Sequence, residues 1–493
     1  MNPSFDEFRG MALAGNLIPI YEEYPVHDET PVTCYEKIKK QAFSYVLESA
    51  QSENGWGRYS FIGWDPFVVA HLRDHQIEIS RGEEREVLEA RDPVHALRAL
   101  MKGFKFVPSR DLPRFQGGLV GYFNYDVIRH WERLPGIVPE SQDLPEAIFT
   151  GSKRLVIFDH LRMSFKVVVL THLPQGCNLS AAYQGACGEI EETAHEINHS
   201  RREPSSQERF SLSPLVSNYE KEAFEAAVKK AKDHIIAGDV IQVVLSQRFS
   251  AKISGPAFPL YRNLRTVNPS PYMFYLHFGD TKLIGTSPEI LVRVTDGKIA
   301  LRPIAGTRPR GKTPQEDLAL EQDLLSDPKE RAEHIMLVDL GRNDVGRVAA
   351  PGSVRVERLM EVDRFSHVMH IVSNVEGRLR AGKDIFDVFM ACFPAGTVTG
   401  APKIRAMEII SELEPSSRGP YAGAVGYFGF NGNMDFCITI RTIAVEKTRV
   451  SVQAGAGIVY DSEPSKEYEE TLNKAAAMFK AIEGASHHDS PNR

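Results

Sequence analysis

Two pairs of glutamates are spaced for cation binding. Glu330 and Glu333 stand three residues apart in PKERAEHIMLVDL, and Glu467 and Glu470 repeat that spacing near the end of the chain. Side chains three residues apart share one face of a helix. Four carboxylates could hold a hard cation such as Mg²⁺, which takes one or two of them directly and keeps water molecules. Either pair alone is more simply interpreted as solvated surface, but Lys474 extends the second stripe.

Two glycine-containing segments offer backbone donors to an anion. Gly455, Ala456 and Gly457 leave the backbone bare in VQAGAGIVY, directly before the second glutamate pair, and Gly306 and Thr307 lie in IAGTRPRG. Bare N–H groups can approach an anionic ligand closely, and the threonine adds a hydroxyl group. For each segment alone, tight sheet packing or an ordinary Gly/Pro loop is the simpler explanation.

Charged and titratable side chains also occur in apolar segments. Arg441 lies in FCITIRTIAV, where a charge needs a partner, and the sequence favours a bound anion and a structural ion pair equally. His367 and His370 lie in FSHVMHIVS. Such pairs are more often satisfied core groups, although one imidazole could act as an acid–base group near neutral pH.

The composition limits the class of protein. The chain has 493 residues, 42% of them hydrophobic, and a net charge of −7, so nothing points to nucleic acid or an anionic membrane as a partner. Five scattered cysteines form no CxxC pair, so neither a zinc site nor a disulfide framework is expected. The N-terminus lacks a signal-peptide pattern, and no apolar stretch is long enough to cross a bilayer. We therefore expect a cytoplasmic protein.

The elements that must position these residues follow from periodicity and turn signals. A capping box of Ser217 and Glu220 predicts the start of a helix that Gly238 ends, and a buried strand is expected over 240–249. Asp296-Gly297 predicts the turn of a hairpin. Hairpins without regular strand–helix alternation indicate an α+β fold with antiparallel sheets. Further strands are predicted over 421–430, 435–445 and 449–460, and a last helix is predicted from Pro464.

A polar stretch at roughly 195–213 predicts an exposed linker. It divides the chain into an N-terminal part, 1–200, and a C-terminal part, 214–485, which carries all the residues named so far as candidates for chemistry. The tail, 486–493, is expected to be disordered.

Several segments are specific as a set, although none is specific alone. In this combination and order they resemble the chorismate-utilising enzymes. The resemblance covers essentially 15–485 and is strongest from 217 onward, with SYVLESA (44–50) and GRYSFIG (57–63) as the earlier matches. The segments that carry it are NPSPYMFYL (268–276), GTSPEILVR (285–293), PIAGTRPRG (303–311), AEHIMLVDLGRNDVGRV (332–348), DRFSHVMHIVS (363–373), TVTGAPKIRAMEII (397–410) and QAGAGIVYDSEP (453–464).

The resemblance implies an α/β/β/α sandwich of two antiparallel sheets with helices outside and the site in a cleft of the C-terminal part. It implies that Glu333 and Glu470 bind Mg²⁺, with Glu330 and Glu467 nearby through water. Chorismate is a dicarboxylate, which suits Arg, Lys and bare N–H groups. The residues expected to hold it are Gly306, Thr307, Tyr427, Arg441, Gly455, Ala456, Gly457 and Lys474.

The resemblance also implies a two-step reaction. Ammonia adds to ring C2 of chorismate while the C4 hydroxyl leaves, and pyruvate is then eliminated to give anthranilate. Glu289 matches the family's general acid, which needs a raised pKa to keep its proton at neutral pH. His370 matches the histidine associated with the elimination.

Two other branches of the family remain alternatives. Aminodeoxychorismate synthases carry a lysine nucleophile where this chain has Ala305, which cannot attack a substrate. Isochorismate and salicylate synthases carry a lysine that activates water, and its position matches Gln242, whose neutral amide cannot act as that base. Both differences favour ammonia as the nucleophile.

Partners and regulation follow from the same resemblance. No segment resembles a glutaminase, which implies a separate glutamine amidotransferase subunit, in a heterotetramer, as the ammonia source. A pocket for L-tryptophan as feedback inhibitor is implied for a regulatory N-terminal part, with Glu48 expected to pair with the ligand's ammonium group. An amino-acid-binding regulatory protein without catalysis is the alternative from another class. The tryptophan pocket is expected to include Glu48, Ser49, Pro271, Tyr272 and Met273.

Overall fold

A computed structural model describes residues 1–38, 42–50, 57–136, 144–200, 210–364 and 368–487. Within these ranges the α-helices are α1 (Phe5–Met11), α2 (Pro31–Ile38), α3 (Pro93–Lys102), α4 (Leu179–His199), α5 (Lys221–Ile236), α6 (Phe258–Val267), α7 (Pro314–Ser326), α8 (Pro328–Gly346), α9 (Ile385–Cys392), α10 (Lys403–Leu413) and α11 (Pro464–His487). Short 3₁₀ helices cover Tyr125–His130 and Gly396–Val398.

The strands are β1 (Leu17–Pro25), β2 (Ser44–Glu48), β3 (Tyr59–Arg73), β4 (Gln76–Arg81), β5 (Glu84–Glu89), β6 (Gly118–Phe123), β7 (Ala147–Asp159), β8 (Ser164–His172), β9 (Ser211–Leu212), β10 (Val216–Ser217), β11 (Gln242–Ser254), β12 (Tyr272–Phe278), β13 (Thr281–Ser287), β14 (Ile290–Thr295), β15 (Lys298–Leu301), β16 (Ile304–Pro309), β17 (Arg355–Arg364), β18 (Val368–Arg378), β19 (Gly400–Ala401), β20 (Ala424–Gly429), β21 (Met434–Ile438), β22 (Thr442–Glu446) and β23 (Arg449–Ile458).

The strands form two layers of antiparallel sheet that share two long strands. One layer runs β1-β8-β7-β3-β2-β12-β13-β22-β23-β11. The other runs β5-β4-β3-β7-β6-β20-β21-β14-β15-β18, with β16 and β17 also on β18. A register shift between Pro66 and Val68 interrupts the β3–β7 ladder between its two halves.

Alternation along the strands builds three layers of core. On β6, Val120 and Tyr122 face a core between the two sheets, whereas Leu119 and Phe123 face helices outside. Helices α1, α2, α4, α6 and α11 cover the outer face of the first sheet. Helices α3, α8 and α9 cover the second sheet, and α5 and α10 pack on β11 and β23. The α/β/β/α sandwich predicted from the resemblance is confirmed.

The predicted division of the chain at residue 200 into two domains stays a prediction. Strands of both predicted parts enter both sheets. Strand β2 pairs with β12, and β6 pairs with β20. The predicted linker begins too early: α4 continues to His199, and Ile197 is fully buried. Helix α11 likewise extends to His487, so the predicted tail is helical at its first two positions, and 488–493 lie outside the described residues.

Some predictions of turns, helix starts and strands are confirmed and others are wrong. The hairpin at Asp296-Gly297 and the helix from Pro464 are confirmed. The capping box is wrong: Ser217 lies in β10 and its hydroxyl donates to Gln247 (2.7 Å), while Glu220 is the N-cap of α5 without a side-chain cap. The strand predicted over 435–445 is two strands, β21 and β22, separated by 439–441.

No helix within the described ranges is long and apolar enough to span a membrane.

A buried ion pair ties α10 to β11 and should dominate local stability. Arg418 donates to both carboxylate oxygens of Glu414 (2.9 and 2.6 Å), and Glu414 also accepts from the N–H and hydroxyl of Ser246. Glu414→Gln leaves a buried guanidinium without its counter-charge, which should lower the free energy of unfolding by about 3 kcal/mol in denaturant titration.

Glu463→Gln is the matched control. Glu463 pairs with Lys466 at the surface, where both side chains are more than half exposed. An exposed pair contributes about 0–1 kcal/mol, so this variant should stay close to the unchanged chain. Equal effects of the two substitutions would contradict a special role for the buried pair.

Candidate active site

All but three of the residues predicted for catalysis, substrate and metal line one cavity of about 590 Å³. Its walls come from β11, β16, β23, α8 and α11, together with the interruption between β21 and β22. The predicted residues that line it are Gln242, Glu289, Gly306, Thr307, Glu330, Glu333, Arg441, Gly455, Gly457, Glu467, Glu470 and Lys474.

The four glutamates come from the first two turns of two helices. Glu330 and Glu333 follow the N-cap Asp327 of α8, and Glu467 and Glu470 follow Pro464 at the start of α11. The positive end of a helix dipole favours carboxylates there. Burial raises the pKa of Glu330, and the charge of Glu333 adds to that effect. Burial likewise raises the pKa of Glu467, with Glu470 adding to it.

This donor set fits a hydrated Mg²⁺ and not a closed metal cage. Within the described part of the chain, no three His, Cys, Asp or Glu side chains stand close enough to enclose a metal ion. Mg²⁺ usually takes only one or two carboxylates and keeps several waters. Glu333 on α8 and Glu470 on α11 both line the cavity, and each could offer the ion one carboxylate.

The side chain of Gln242 is hydrogen-bonded to one of these glutamates. Its Nε2 donates to Glu333 Oε1 at 3.0 Å, and the side chain is buried at the start of β11. The amide therefore orients a carboxylate of the candidate metal site. Ala305 is buried in β16, paired with Ile371 of β18, and is not among the described residues that line the cavity.

Glu289 has the properties of a general acid. It follows β13, is 8% exposed, and lines the cavity. Burial raises its pKa to about 8, although a contact with Thr397 and the charge of Lys474 act in the opposite direction. At neutral pH the carboxyl therefore carries a proton that it can donate.

His370 contacts two residues of the cavity wall, Gly306 and Thr307. Its Nδ1 is 2.8 Å from the carbonyl oxygen of Gly306 and 3.1 Å from Thr307 Oγ1. A carbonyl accepts only, so Nδ1 carries the hydrogen and Nε2 is the basic nitrogen of the neutral ring. Burial lowers the pKa of His370, which keeps it neutral at pH 7. His367, the other histidine of the predicted pair, lies outside the described residues.

Arg441 and Lys474 supply positive charge. Arg441 NH1 donates to the backbone carbonyl of Lys474, and no carboxylate among the described residues lies within ion-pair distance of its guanidinium. The structural ion pair considered for Arg441 is therefore not found. Lys474 Nζ bonds Glu470 (2.6 Å) and the carbonyl of Gly455 (3.1 Å). A largely buried guanidinium without a carboxylate favours an anionic ligand.

The glycines of β23 are needed because side chains crowd them. A Cβ atom on Gly455 would lie 2.6 Å from the hydroxyl of Tyr421, and one on Gly457 would collide with the amide of Gln242. Tight packing, the simpler explanation considered for this segment, therefore applies along with exposure to the cavity. Ala456 points the other way, into the core beneath α5 and α10, so its side chain is not part of the cavity.

Tyr427 does not line this cavity, contrary to prediction. Its ring packs at a tilt of 40° against Phe115 (centroids 4.3 Å apart) in the core between the sheets and lines a second cavity. The tyrosine at the candidate active site is Tyr421, six residues earlier. Tyr421 precedes Ala422, whose φ of +62° turns the chain just before β20. The sequence gives no sign of this turn, because Ala422 is not glycine.

The second cavity, of about 600 Å³, brings together all five residues predicted for tryptophan: Glu48, Ser49, Pro271, Tyr272 and Met273. Pairing of β2 with β12 places Glu48 opposite Met273 and so joins segments far apart in sequence. Aromatic residues Tyr59, Phe61 and Phe274 complete much of its apolar lining.

Glu48 is less available than predicted. Its carboxylate accepts from Tyr261 (2.5 Å) and from Arg265 Nε and NH2 (3.0 and 3.2 Å) on α6. Asp435, another carboxylate of this cavity, accepts from Arg114 and Arg293, both at 2.9 Å. The charged end of the cavity is therefore rich in arginine, which suits a ligand carboxylate.

Residues 45–480 match the family described as chorismate binding enzyme, and the chain belongs to that family. It is similar over nearly its whole length to anthranilate synthase component 1. The relative from Acetivibrio thermocellus is 47% identical (98% of this chain, 99% of that one). The relative from Aquifex aeolicus is 49% identical, with 98% of each chain covered.

Solved structures agree. Anthranilate synthase component I from Streptococcus pneumoniae has a TM-score of 0.74 at 39% identity and covers 87% of this chain and 93% of its own. The menaquinone-specific isochorismate synthase MenF from Escherichia coli has a TM-score of 0.70 at 18% identity, covering 96% and 98%, and shares the fold.

The free energy of unfolding of the Glu289→Gln variant should increase relative to that of the unchanged chain as the pH rises from about 5 to about 8. The folded chain keeps the Glu289 proton up to about pH 8, whereas the unfolded chain loses it near a pKa of about 4.3. In that window the unfolded state binds fewer protons, so the stability of the unchanged chain falls, by up to about 1.4 kcal/mol per pH unit. Glutamine does not titrate. Denaturation across this range measures the difference, and a pH-independent difference would contradict the raised pKa.

Proposed function

We propose that this chain converts chorismate and ammonia to anthranilate and pyruvate, the first committed step of tryptophan biosynthesis, in the cytoplasm. The observation that carries the proposal is a single cavity that combines four glutamates, a protonated Glu289, and the cations Arg441 and Lys474. The names of the full-length relatives support the same reaction.

Charge complementarity orients the substrate. One carboxylate of chorismate would meet Arg441, whose guanidinium forms no ion pair with a described residue, and Lys474 beside it. The other carboxylate would approach the glutamates from α8 and α11. Mg²⁺, held there by Glu333 and Glu470, supplies the positive charge that lets two sets of carboxylates come together.

Glu289 and His370 divide the proton transfers. When ammonia bonds to C2, the C4 hydroxyl leaves with the proton of Glu289 as water. Elimination of pyruvate then requires a base to remove the hydrogen at C2 as the ring aromatises. We assign that role to neutral His370, whose Nδ1–H is fixed on the Gly306 carbonyl so that Nε2 is the acceptor.

The structure offers little support for the other nucleophiles of the family. Ala305 provides no amine, and Gln242 is an amide bonded to Glu333. Neither aminodeoxychorismate synthase nor isochorismate or salicylate synthase chemistry has its lysine here. A purely regulatory role is disfavoured because the carboxylates, Arg441 and His370 all stand at the cavity or against its wall.

Ammonia would come from a partner, a glutamine amidotransferase subunit, in a heterotetramer. "Component 1" in the relatives' names implies a second component. Burial raises the pKa of Cys34, Cys392 and Cys437, so none of these three is a reactive thiolate of the kind a glutaminase needs.

The direct test is anthranilate fluorescence from purified chain with chorismate, ammonium and Mg²⁺, and then with glutamine in place of ammonium. Ammonium should support product and glutamine should not. Absence of product with ammonium, or robust glutamine-dependent product from the chain alone, would contradict the proposal.

Glu333→Gln and Glu470→Gln should each lower turnover by about 100-fold or more at saturating Mg²⁺, because each removes one charge that holds the cation while keeping side-chain volume. Steady-state rates against Mg²⁺ concentration measure the effect. Glu469→Gln is the matched control, since Glu469 is exposed on the same helix and is not among the residues lining the cavity. Folded Glu333 or Glu470 variants with more than half the original turnover would refute the metal assignment.

We further propose that L-tryptophan inhibits the enzyme by binding in the second cavity. The aromatic lining suits an indole ring, and Arg114 and Arg293 suit a carboxylate. The ammonium group would lie near Glu48, Ser49 and Met273, sharing the Glu48 carboxylate with Arg265. Linkage requires tryptophan and chorismate to weaken each other's binding.

Ser49→Phe should fill the second cavity and raise the inhibitory concentration of tryptophan by more than about tenfold, while turnover without tryptophan is retained. Inhibition curves measure the change. Ser180→Phe, on the exposed surface of α4, makes the same substitution away from both cavities and should leave inhibition unchanged. Normal inhibition of a folded Ser49→Phe variant would place the inhibitor elsewhere.

A further inference from the structure

One arginine of β16 binds a glutamate of the candidate active site. Arg308 donates hydrogen bonds to three carboxylates, namely Asp323 Oδ2 in α7 (2.6 Å), Asp327 Oδ2 at the N-cap of α8 (2.9 Å) and Glu330 Oε1 (3.3 Å). Among these three acids only Glu330 lines the large cavity. Arg308 therefore connects one of the four cavity glutamates to two acids outside the cavity.

Both carboxylate oxygens of Glu330 lie toward β16. Oε1 accepts from Arg308, and Oε2 lies where a Cβ atom on Gly306 would be 3.0 Å away. The Glu330 side chain is 23% exposed. A planar guanidinium that is already held by two acids loses little further freedom when it binds a third. The Glu330 carboxylate is therefore fixed against β16 beside a permanent positive charge.

Glu333 and Glu470 have partners that compete less with a cation. Glu333 accepts from the amide of Gln242 at 3.0 Å, and an amide carries no charge. Glu470 pairs with Lys474 at 2.6 Å, but the two side chains are 46% and 40% exposed, and such pairs contribute little free energy. Of these three glutamates, Glu330 is thus the one whose charge is most firmly compensated within the chain.

We propose that Arg308 is a positioning residue that keeps Glu330 from binding Mg²⁺ directly, so that the ion binds Glu333 and Glu470. This inference rests on the proposed function, in which those two glutamates hold the ion. Mg²⁺ requires near-octahedral geometry and usually keeps several waters. A third carboxylate would take a position that water or a substrate carboxylate needs, so the arginine preserves that position for the substrate.

The test compares two affinities, for Mg²⁺ by calorimetry without chorismate and for chorismate from its KM at saturating Mg²⁺. Arg308→Gln removes the charge that holds Glu330 and should tighten Mg²⁺ binding about threefold to tenfold. The KM for chorismate should rise about threefold or more, because Glu330 then occupies a position at the ion. Local damage to the site would instead weaken the binding of both.

Arg310→Gln is the matched control. Arg310 follows β16, donates to both carboxylate oxygens of Asp317 at 2.9 Å, and is not among the described residues that line the cavity. This variant removes the same charge two residues further along the chain and should leave the affinity for Mg²⁺ unchanged.

Glu330→Gln separates the bond to Glu330 from the general effect of a lost charge. In the Glu330→Gln chain, Arg308→Gln should change the affinity for Mg²⁺ by less than about twofold, since no carboxylate is released. Arg308→Lys keeps a charge that cannot hold three carboxylates at once. It should tighten Mg²⁺ binding to a smaller extent, and it repeats the test if the glutamine variant does not fold.

The outcomes distinguish two failures. If the unchanged chain binds no Mg²⁺, the metal assignment of the proposed function fails, and the role of Arg308 fails with it. If the unchanged chain binds Mg²⁺ and the Arg308 variants bind it equally or more weakly, only the role of Arg308 is overturned. A full effect of Arg308→Gln in the Glu330→Gln chain overturns it as well.

Discussion

Between β21 and β22 the backbone leaves the extended conformation, and Arg441 has φ of +52°. Alternation along β21 places Asp435 and Cys437 at the second cavity, and a continuous strand would have turned Arg441 to the same side. Because of the interruption, the Arg441 side chain points toward the candidate active site instead. A residue other than glycine in this conformation costs about 1–3 kcal/mol. Hydrogen bonds from Thr286 N–H to the Arg441 carbonyl and from the guanidinium to α11 hold it there.

The segment that leads into the neighbouring strand, β20, also has irregular backbone, at the same end of the sheet. Tyr427 and Val425 of β20 line the second cavity, and positive φ at Ala422 sends Tyr421 to the first. Thr439 joins the segment before β20 to the segment between β21 and β22. Its N–H donates to the Gly423 carbonyl and its carbonyl accepts from Ala422 N–H, both at 3.0 Å. One cluster of irregular backbone therefore supplies both Arg441 and Tyr421 to the candidate active site.

This cluster also marks where inference from sequence alone succeeded and where it failed. Helix spacing is local, so the glutamates of α8 and α11 were placed correctly on shared faces, and turn chemistry was enough for Asp296-Gly297. Positive φ at Ala422 and Arg441 has no local signal, because neither is glycine. Strand alternation therefore predicts one strand over 435–445 where the structure has β21 and β22, and Tyr427 was expected at the site from the family resemblance alone. The partners of Glu48 were missed because Arg265 reaches it only after β2 pairs with β12.

Communication between the two cavities would have to use the strands that serve both. Arg293 and Asp435 face each other across β14 and β21 at the second cavity, and Glu289, four residues before Arg293 in the chain, lines the first. Between them Val292 and Phe436 are fully buried, so side-chain movement there is limited by close packing. The backbone is continuous, however, and Ile438 N–H donates to the Glu289 carbonyl at 3.1 Å. If the β14–β21 pair had two positions, a ligand that bound Arg293 or Asp435 more tightly in one of them would favour that position and move Glu289 accordingly. Only this difference in affinity between the two positions can couple the two cavities.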